Sequence, residues 1–343
     1  MATTKPNQTN PQTAGGGSAP VFISTSTLRS IITHKSLIHH LKSTLPPHSA
    51  TIQSPLRHAH QTTPNSSLLL MPSWSTSPLL PYIGTKLVTH HSNNSTLNLP
   101  GVHAIYVLFN SLTGQPLASI DATELTLYRT ACVSALASLF LSREDSKTLT
   151  MIGAGSLASH LIKAHLSVRP NIKHVLIWNR TLNKATILAD KLKEENEFQG
   201  VSFEGNGSLE EVVKAADIIT CATNSEVPLV KGMDLKAGAH LDLVGSFTAS
   251  MRECDDEAVR RGRVFIDNPA AAVEAGELVG AFERGVMRKD EIVGDLLDLV
   301  KGEKIGRRGS EEITVFKSVG SAMADLLSAQ MVYESYVRNE VRA

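Results

Sequence analysis

Residues 147–181 read KTLTMIGAGSLASHLIKAHLSVRPNIKHVLIWNRT: a short apolar strand, a glycine turn, a helix and a second apolar strand. Thr148 to Ile152 is β-branched and apolar, Gly153-Ala154-Gly155 follows directly, and Leu157, Leu161, Ala164 and Val168 recur at helical spacing. This is a βαβ unit. In the run G-x-G-x-x-A the first glycine permits the tight turn, and the second lets backbone N–H groups approach a pyrophosphate. Ala158 stands where helix and strand pack closely. Small residues in this pattern also suit a packing turn with no ligand, but the strand–turn–helix setting favours dinucleotide binding at the positive end of the helix.

The second strand, His174 to Trp178, ends in Asn179-Arg180-Thr181. A site selective for NAD places an acid there to bond the ribose hydroxyls; a cation and a hydroxyl suit a ribose phosphate instead. NADPH is therefore the expected cofactor, with NADH possible and a merely solvated Arg180 as the plain alternative.

At 343 residues the chain can bury a large core and is expected to form two domains. Lys plus Arg and Asp plus Glu are 33 each, so no basic field attracts nucleic acid. The apolar run Ala131 to Leu141 is far shorter than the roughly 20 residues that span a bilayer, so a soluble protein with no membrane partner is expected. Cys132, Cys221 and Cys254 are widely spaced, which argues against a disulfide framework and a structural zinc site; no metal is expected. Residues 1–20 are rich in Thr, Asn, Gln, Gly and Pro, a disordered tail by composition. Their hydroxyl-rich, acid-free character leaves an organelle transit segment open, hence a plastid or cytoplasmic location.

Ahead of the βαβ unit the pattern predicts a strand at Val21–Ile23, then one helix capped near Ser24 or Ser26 and ended by Pro46-Pro47. A β-meander follows, with strands at Leu68–Met71, Tyr82–Thr89, Val102–Phe109 and Leu117–Asp121 pairing antiparallel. Lys86 shares a face with Tyr82 and Val88, where the pleat places core or cavity. A snorkelling edge lysine has the same pattern. In the next helix, Thr123 to Leu141, Arg129 heads a stripe with Val133, Leu136 and Phe140. A guanidinium there needs an anionic partner, from the protein or from a ligand. Arg57, in a region otherwise free of charge, is a weaker third candidate. After residue 181 helices and strands keep alternating in the manner of a doubly wound sheet. The strand ends at Ala222-Thr223-Asn224 and Val244-Gly245 are expected to face the cofactor.

The stretches MPSWS (71–75), TKLVT (85–89), YRTACVSA (128–135), IGAGSLASH (152–160), IWNRT (177–181) and TVFKSVG (314–320) resemble the ornithine cyclodeaminase and mu-crystallin family. Within it, CATNSEVPLVKG (221–232) and EAGELVGAFERGV (274–286) are similar to a plant branch that reduces dehydropipecolate to pipecolate in systemic acquired resistance. The resemblance implies an α/β fold, a Rossmann doubly wound sheet (131–314) inserted in a second α+β domain (21–130 and 315–343) that binds substrate and forms a homodimer. It places Arg57, Lys86, Arg129 and Glu274 at the substrate. It places Thr130, Gly153, Ala154, Gly155, Ser156, Leu157, Asn179, Arg180, Thr181, Val244 and Ser318 at the cofactor, beside the strand-end residues Ala222, Thr223 and Asn224. Where ornithine cyclodeaminases carry an aspartate, this chain has Phe247, which accepts no proton. The implied activity is NAD(P)H-dependent reduction of a small cyclic ketimine carboxylate such as 1-piperideine-2-carboxylate. Its rivals are ornithine cyclodeamination and ligand binding without turnover.

Overall fold

A computed structural model describes residues 19–97 and 99–341. The expected tail therefore lies, apart from Ala19 and Pro20, outside the described residues. The first part of the chain forms a seven-stranded sheet from β1 (Val21–Ile23), β2 (Ile52–Gln53), β3 (His58–Thr63), β4 (Ser66–Ser75), β5 (Tyr82–His91), β6 (Val102–Asn110) and β7 (Pro116–Asp121). The order is β1-β7-β6-β5-β4-β2, with β3 also on β4. The meander pairs antiparallel as expected, and β1 joins β7 in parallel. Strands β2 and β3 were not foreseen; β3 is polar and exposed, and so lacks an apolar period.

The single helix expected after β1 is two helices, α1 (Thr25–Ile31) and α2 (His34–His48). Ile32 adopts an extended conformation and Thr33 starts a capping box with Ser36, so the chain restarts rather than continues. Pro46 and Pro47 lie within the last turn of α2, not beyond it. Helix α3 (Ala122–Leu141) is capped by Asp121, whose carboxylate accepts from Thr123 N and Glu124 N. It is the one helix among the described residues with the length and hydropathy of a membrane span, yet most of it is buried as a core helix.

The second sheet is parallel throughout. It contains β8 (Thr148–Ile152), β9 (His174–Trp178), β10 (Ser202–Asn206), β11 (Ile218–Cys221), β12 (His240–Leu243), β13 (Arg263–Ile266), β14 (Gly294–Asp295) and β15 (Thr314–Lys317). Its order is β10-β9-β8-β11-β12-β15-β13-β14. The chain winds outward from β8 in both directions, which puts the topological switch point between β8 and β11. Helices α4 (Ser156–Val168), α5 (Leu182–Glu195), α6 (Leu209–Ala215), α7 (Asp256–Arg261), α8 (Ala271–Glu274), α9 (Gly276–Glu283) and α10 (Leu296–Lys301) make the crossovers. The last helix, α11 (Ala322–Glu340), returns to the first sheet, against β4, β5, α2 and α3.

Two expected boundaries fall inside continuous elements. The division at residue 131 lies within α3, and 315 lies within β15, which belongs to the parallel sheet between β12 and β13. A short apolar strand inserted out of chain order carries no local signal of its neighbours. One hydrophobic cluster runs from Ile23 through Leu136 of α3 to Leu161 of α4 and Phe316 of β15, so the two sheets share a core.

Candidate active site

Parallel strands end on one edge, and the glycine turn sits on that edge at the switch point. Gly153 has φ +107°, and a Cβ there would come within 2.6 Å of the Ala222 carbonyl oxygen. The turn is thus pressed against the end of β11, which only glycine tolerates. Gly155 caps α4 through its backbone, with no side chain on the cap, and a Cβ on it would meet open space. An uncapped helix end facing open space at a switch point fits a dinucleotide pyrophosphate. Ser156 is exposed and Leu157 half-buried on the same turn.

Across the crevice, Asn179 Oδ1 accepts from Ala154 N at 3.3 Å and its amide donates to Thr181 O at 3.0 Å, so the end of β9 is tied to the glycine turn. Arg180 and Thr181 are exposed beyond it at the start of α5. Ala222 and Thr223 are half-buried and Asn224 is exposed after β11, while Val244 and Ser318 are buried at the ends of β12 and β15. Behind them lies a carboxylate that sequence reading missed. Glu253, fully buried, accepts from Thr223 N, Thr223 Oγ1 and Gly245 N at 2.7, 3.0 and 2.7 Å. Burial raises its pKa to about 7, with the Lys317 charge opposing the shift.

The substrate candidates come together on the same edge. Arg129 follows from α3 and Lys86 from β5, where Met71 and Tyr106 flank it across the strands. Both are buried, and both face Asp325 of α11: Lys86 Nζ lies 2.8 Å from Oδ2 and Arg129 Nε 2.8 Å from Oδ1. The anionic partner that a buried guanidinium requires is therefore supplied by the protein, and the two cations are not free. The pairs are close by distance, but neither Arg129 Nε nor Asp325 Oδ2 has the angles of a directed hydrogen bond. Burial, then the Arg129 charge, lower Lys86 to about 8, against the pull of Asp325. Asp325 is held below the usual carboxylate range: burial works the other way, and the two cations outweigh it.

Arg57, half-buried ahead of β3, donates to Glu274 of α8 at 2.8 Å and to Val319 O at 3.5 Å. Val319 and Gly320 follow β15, and their N–H groups donate to Asp267 Oδ2 at 3.1 and 2.8 Å. Burial raises Asp267 to about 6, with these N–H groups and Arg129 opposing. Counting Arg57, Lys86 and Arg129 against Asp325, Glu274 and Asp267 balances the charge, on the sheet edge that also carries the dinucleotide crevice. Thr130, one residue after Arg129 on α3, is buried.

Asp325, Asp267 and Gly320 were absent from the sequence reading. Asp325 had a readable signal, because it interrupts a stripe with Ala322, Ala329 and Val332 at helical offsets, the anomaly that exposed Arg129. Phe247 is 48% exposed on the loop after β12.

The sequence pattern of the ornithine cyclodeaminase/mu-crystallin family matches residues 20–340. Protein SAR DEFICIENT 4 of Arabidopsis thaliana is 55% identical over 318 residues, 93% of this chain and 98% of that protein. The Delta(1)-pyrroline-2-carboxylate reductase of Colwellia psychrerythraea is 40% identical over 83% of this chain and 90% of its own length. Among solved structures, Thermococcus litoralis Delta(1)-pyrroline-2-carboxylate reductase in complex with NADH and L-proline superposes with a TM-score of 0.87 at 30% identity, covering 93% of this chain and 98% of that one.

Proposed function

The chain belongs to the ornithine cyclodeaminase/mu-crystallin family, and from that premise we propose that it is an NAD(P)H-dependent reductase of cyclic ketimine carboxylates. The observation that carries the reading is the meeting of Arg57 and Arg129 at the Val319–Gly320 turn, with Lys86 joined to Arg129 through Asp325, on the strand edge that bears the glycine crevice. The similarity to pyrroline-2-carboxylate reductases supports the C=N chemistry. The similarity to the plant protein supports the six-membered 1-piperideine-2-carboxylate, or its 2,3-dehydropipecolate tautomer, as the preferred ring, giving pipecolate. One methylene is worth only about 1–3 kcal/mol in an apolar pocket, so the five-membered ring is accepted as well.

Residues 153–157 and the start of α4 hold the pyrophosphate; Asn179, Arg180 and Thr181 hold the adenosine ribose, with its phosphate in NADPH, the preferred form over NADH. Thr130, Ala222, Thr223, Asn224, Val244 and Ser318 line the nicotinamide half. When bound, the nicotinamide supplies the hydride. Arg57 exchanges its Glu274 partner for the substrate carboxylate, which Arg129 shares in the bidentate manner its fork allows. Lys86 gives the imine nitrogen its proton. Ornithine cyclodeamination is disfavoured, because Phe247 stands in place of the aspartate and Asp267, Glu274 and Asp325 are each engaged by other groups.

The outward face of the first sheet is largely apolar: Trp74, Ile83 and Phe109 form one row, and Val107 and Phe22 stand in the next beside Thr85 and Ser119. Phe22 is 62% exposed and Ile83 37%, and a second copy of the chain is the partner that covers them in a homodimer. The plant relative and the hydroxyl-rich first 20 residues support a plastid or cytoplasmic setting and a role in plant defence. The test is NADPH oxidation followed spectrophotometrically with both cyclic ketimines, repeated on Arg129→Ala and Lys86→Ala. The parent oxidises NADPH and both variants lose turnover; full turnover in folded variants removes the assigned site.

A further inference from the structure

Asp325 lies far along the chain from the residues it touches, and the fold fixes its approach. Ser73 Oγ, on the inward face of β4, donates to Ala322 O at 2.9 Å, tying the first turn of α11 to the sheet. One turn on, Asp325 points at the inward face of β5, and its oxygens divide between Lys86 and Arg129. We propose that Asp325 is a positioning residue for the reduction: it holds Lys86 where the lysine protonates the imine nitrogen, and holds Arg129 by Nε so that the outer guanidinium nitrogens receive the substrate carboxylate. This rests on the ketimine-reductase reading.

The sharing of one carboxylate between two cations is what makes the arrangement work. In the reduction the imine carbon gains a hydride, hence two electrons, and the imine nitrogen gains a proton, so the C=N double bond becomes a CH–NH single bond. The proton leaves Lys86 Nζ, which becomes a neutral amine and regains a proton from water after the product departs. A lysine with a carboxylate to itself resists this loss, because it strands a buried anion. Here Asp325 keeps Arg129 as its counter-ion throughout, so the neutral amine is tolerated. Arg129 and Arg57 repel the ammonium and Asp325 attracts it, and burial adds to the repulsion. The other groups on this side are Tyr106, whose hydroxyl contacts Ser73 Oγ at 3.4 Å, Tyr82, whose hydroxyl donates to Glu334 Oε1 of α11 at 3.0 Å, Asp267, engaged by the Val319 and Gly320 N–H groups, and Glu274, engaged by Arg57. None of them replaces Asp325 as a partner of Lys86.

The test compares the full-length parent with Asp325→Asn in the pH profile of kcat for NADPH oxidation by 1-piperideine-2-carboxylate. NADPH fluorescence titration serves as the check on fold. Without the carboxylate charge the Lys86 ammonium loses its attraction, so its pKa falls. The limb on which kcat declines with rising pH then moves to lower pH by about one unit or more. At neutral pH kcat drops about tenfold or more, and KM for the ketimine rises as Arg129 loses its hold. An Asn variant that binds NADPH as the parent does and keeps the parental limb and kcat overturns the proposal while leaving the reductase reading intact. A parent that binds NADPH but oxidises it with neither ketimine fails the reading itself. If the Asn chain does not fold, Asp325→Glu carries the test: it keeps the charge and displaces both cations, so the limb stays in place and kcat falls. Unchanged kcat in that variant overturns the positioning role.

Discussion

Gly320→Ala tests the geometry of the site without removing any functional group. Gly320 has φ +91°, a conformation that costs an L-residue about 1–2 kcal/mol. Its added Cβ would stand 2.8 Å from Arg129 Nη1 and 3.0 Å from Nη2, well inside normal contact. The backbone side cannot yield easily, so the guanidinium end, pinned only by its ion pair, is what shifts. Asp267 and Asn268 hold the Gly320 backbone at N and O, at 2.8 and 3.1 Å, and Asp325 holds the guanidinium at Nε. Overpacking of this kind costs about 1–3 kcal/mol, so the folded state loses about 2–5 kcal/mol in total. The guanidinium must shift by several tenths of an ångström, and misplacement by about 1 Å costs about 100-fold in rate. The expected result is a fall of about 10- to 100-fold in kcat/KM for the ketimine, with NADPH affinity retained, because the crevice at Gly153 is not touched. The assay is steady-state NADPH oxidation beside a thermal melt. A Gly320→Ala protein with parental melting temperature and parental kcat/KM would refute the placement of Arg129 against this turn.

Arg180→Ala raises the KM for NADPH about tenfold or more and leaves that for NADH nearly unchanged in parallel assays; equal losses contradict the phosphate-reading role. Gly153→Ala drives a Cβ to within 2.6 Å of Ala222 O and abolishes dinucleotide binding in fluorescence titrations. His34 and His160, in contact at 3.1 Å, are lowered to about 3 and about 4, in each case chiefly by burial. Because their folded pKa values lie below the unfolded value of about 6.5, the unfolded chain binds the extra protons, and stability present above pH 6.5 is lost as pH falls. The loss is about 2 kcal/mol per histidine at about pH 5. Urea titrations should show it roughly halved in His34→Phe, whose ring can still stack on Tyr128. Ile83→Lys with Trp74→Glu, on the exposed sheet face, converts the proposed dimer to a monomer in light scattering; an unchanged mass refutes that face as the interface.

The parts of the fold visible in the sequence are those encoded locally. The β8–α4–β9 unit, the meander β4–β7 and helix α3 each carry a period and each is present, although β4 runs over Ser66–Ser75 where only Leu68–Met71 was expected. Strand β15 was hidden because its place between β12 and β13 is decided by long-range pairing, and four residues carry no period. The break between α1 and α2 turned on capping by Thr33 rather than on hydrophobic pattern. At the site, polar residues on apolar stripes revealed Lys86 and Arg129, but not that one carboxylate neutralises both. That fact lives in the packing of α11 on β5, between segments more than two hundred residues apart in the case of Lys86 and Asp325. Asp267 and Gly320 belong to turns after strands, where a single chain offers no periodicity to read.

The central claim, a site of two arginines and a lysine beside the dinucleotide crevice that reduces a cyclic ketimine carboxylate, is tested most directly by following the hydride. NADPH carrying deuterium at both hydrogen positions of nicotinamide C4 is incubated with the protein and 1-piperideine-2-carboxylate, and the product is analysed by mass spectrometry. The account predicts pipecolate carrying a single deuterium at ring C2, formed in step with NADPH oxidation. Bound NADPH that stays reduced, or pipecolate free of label, would contradict it.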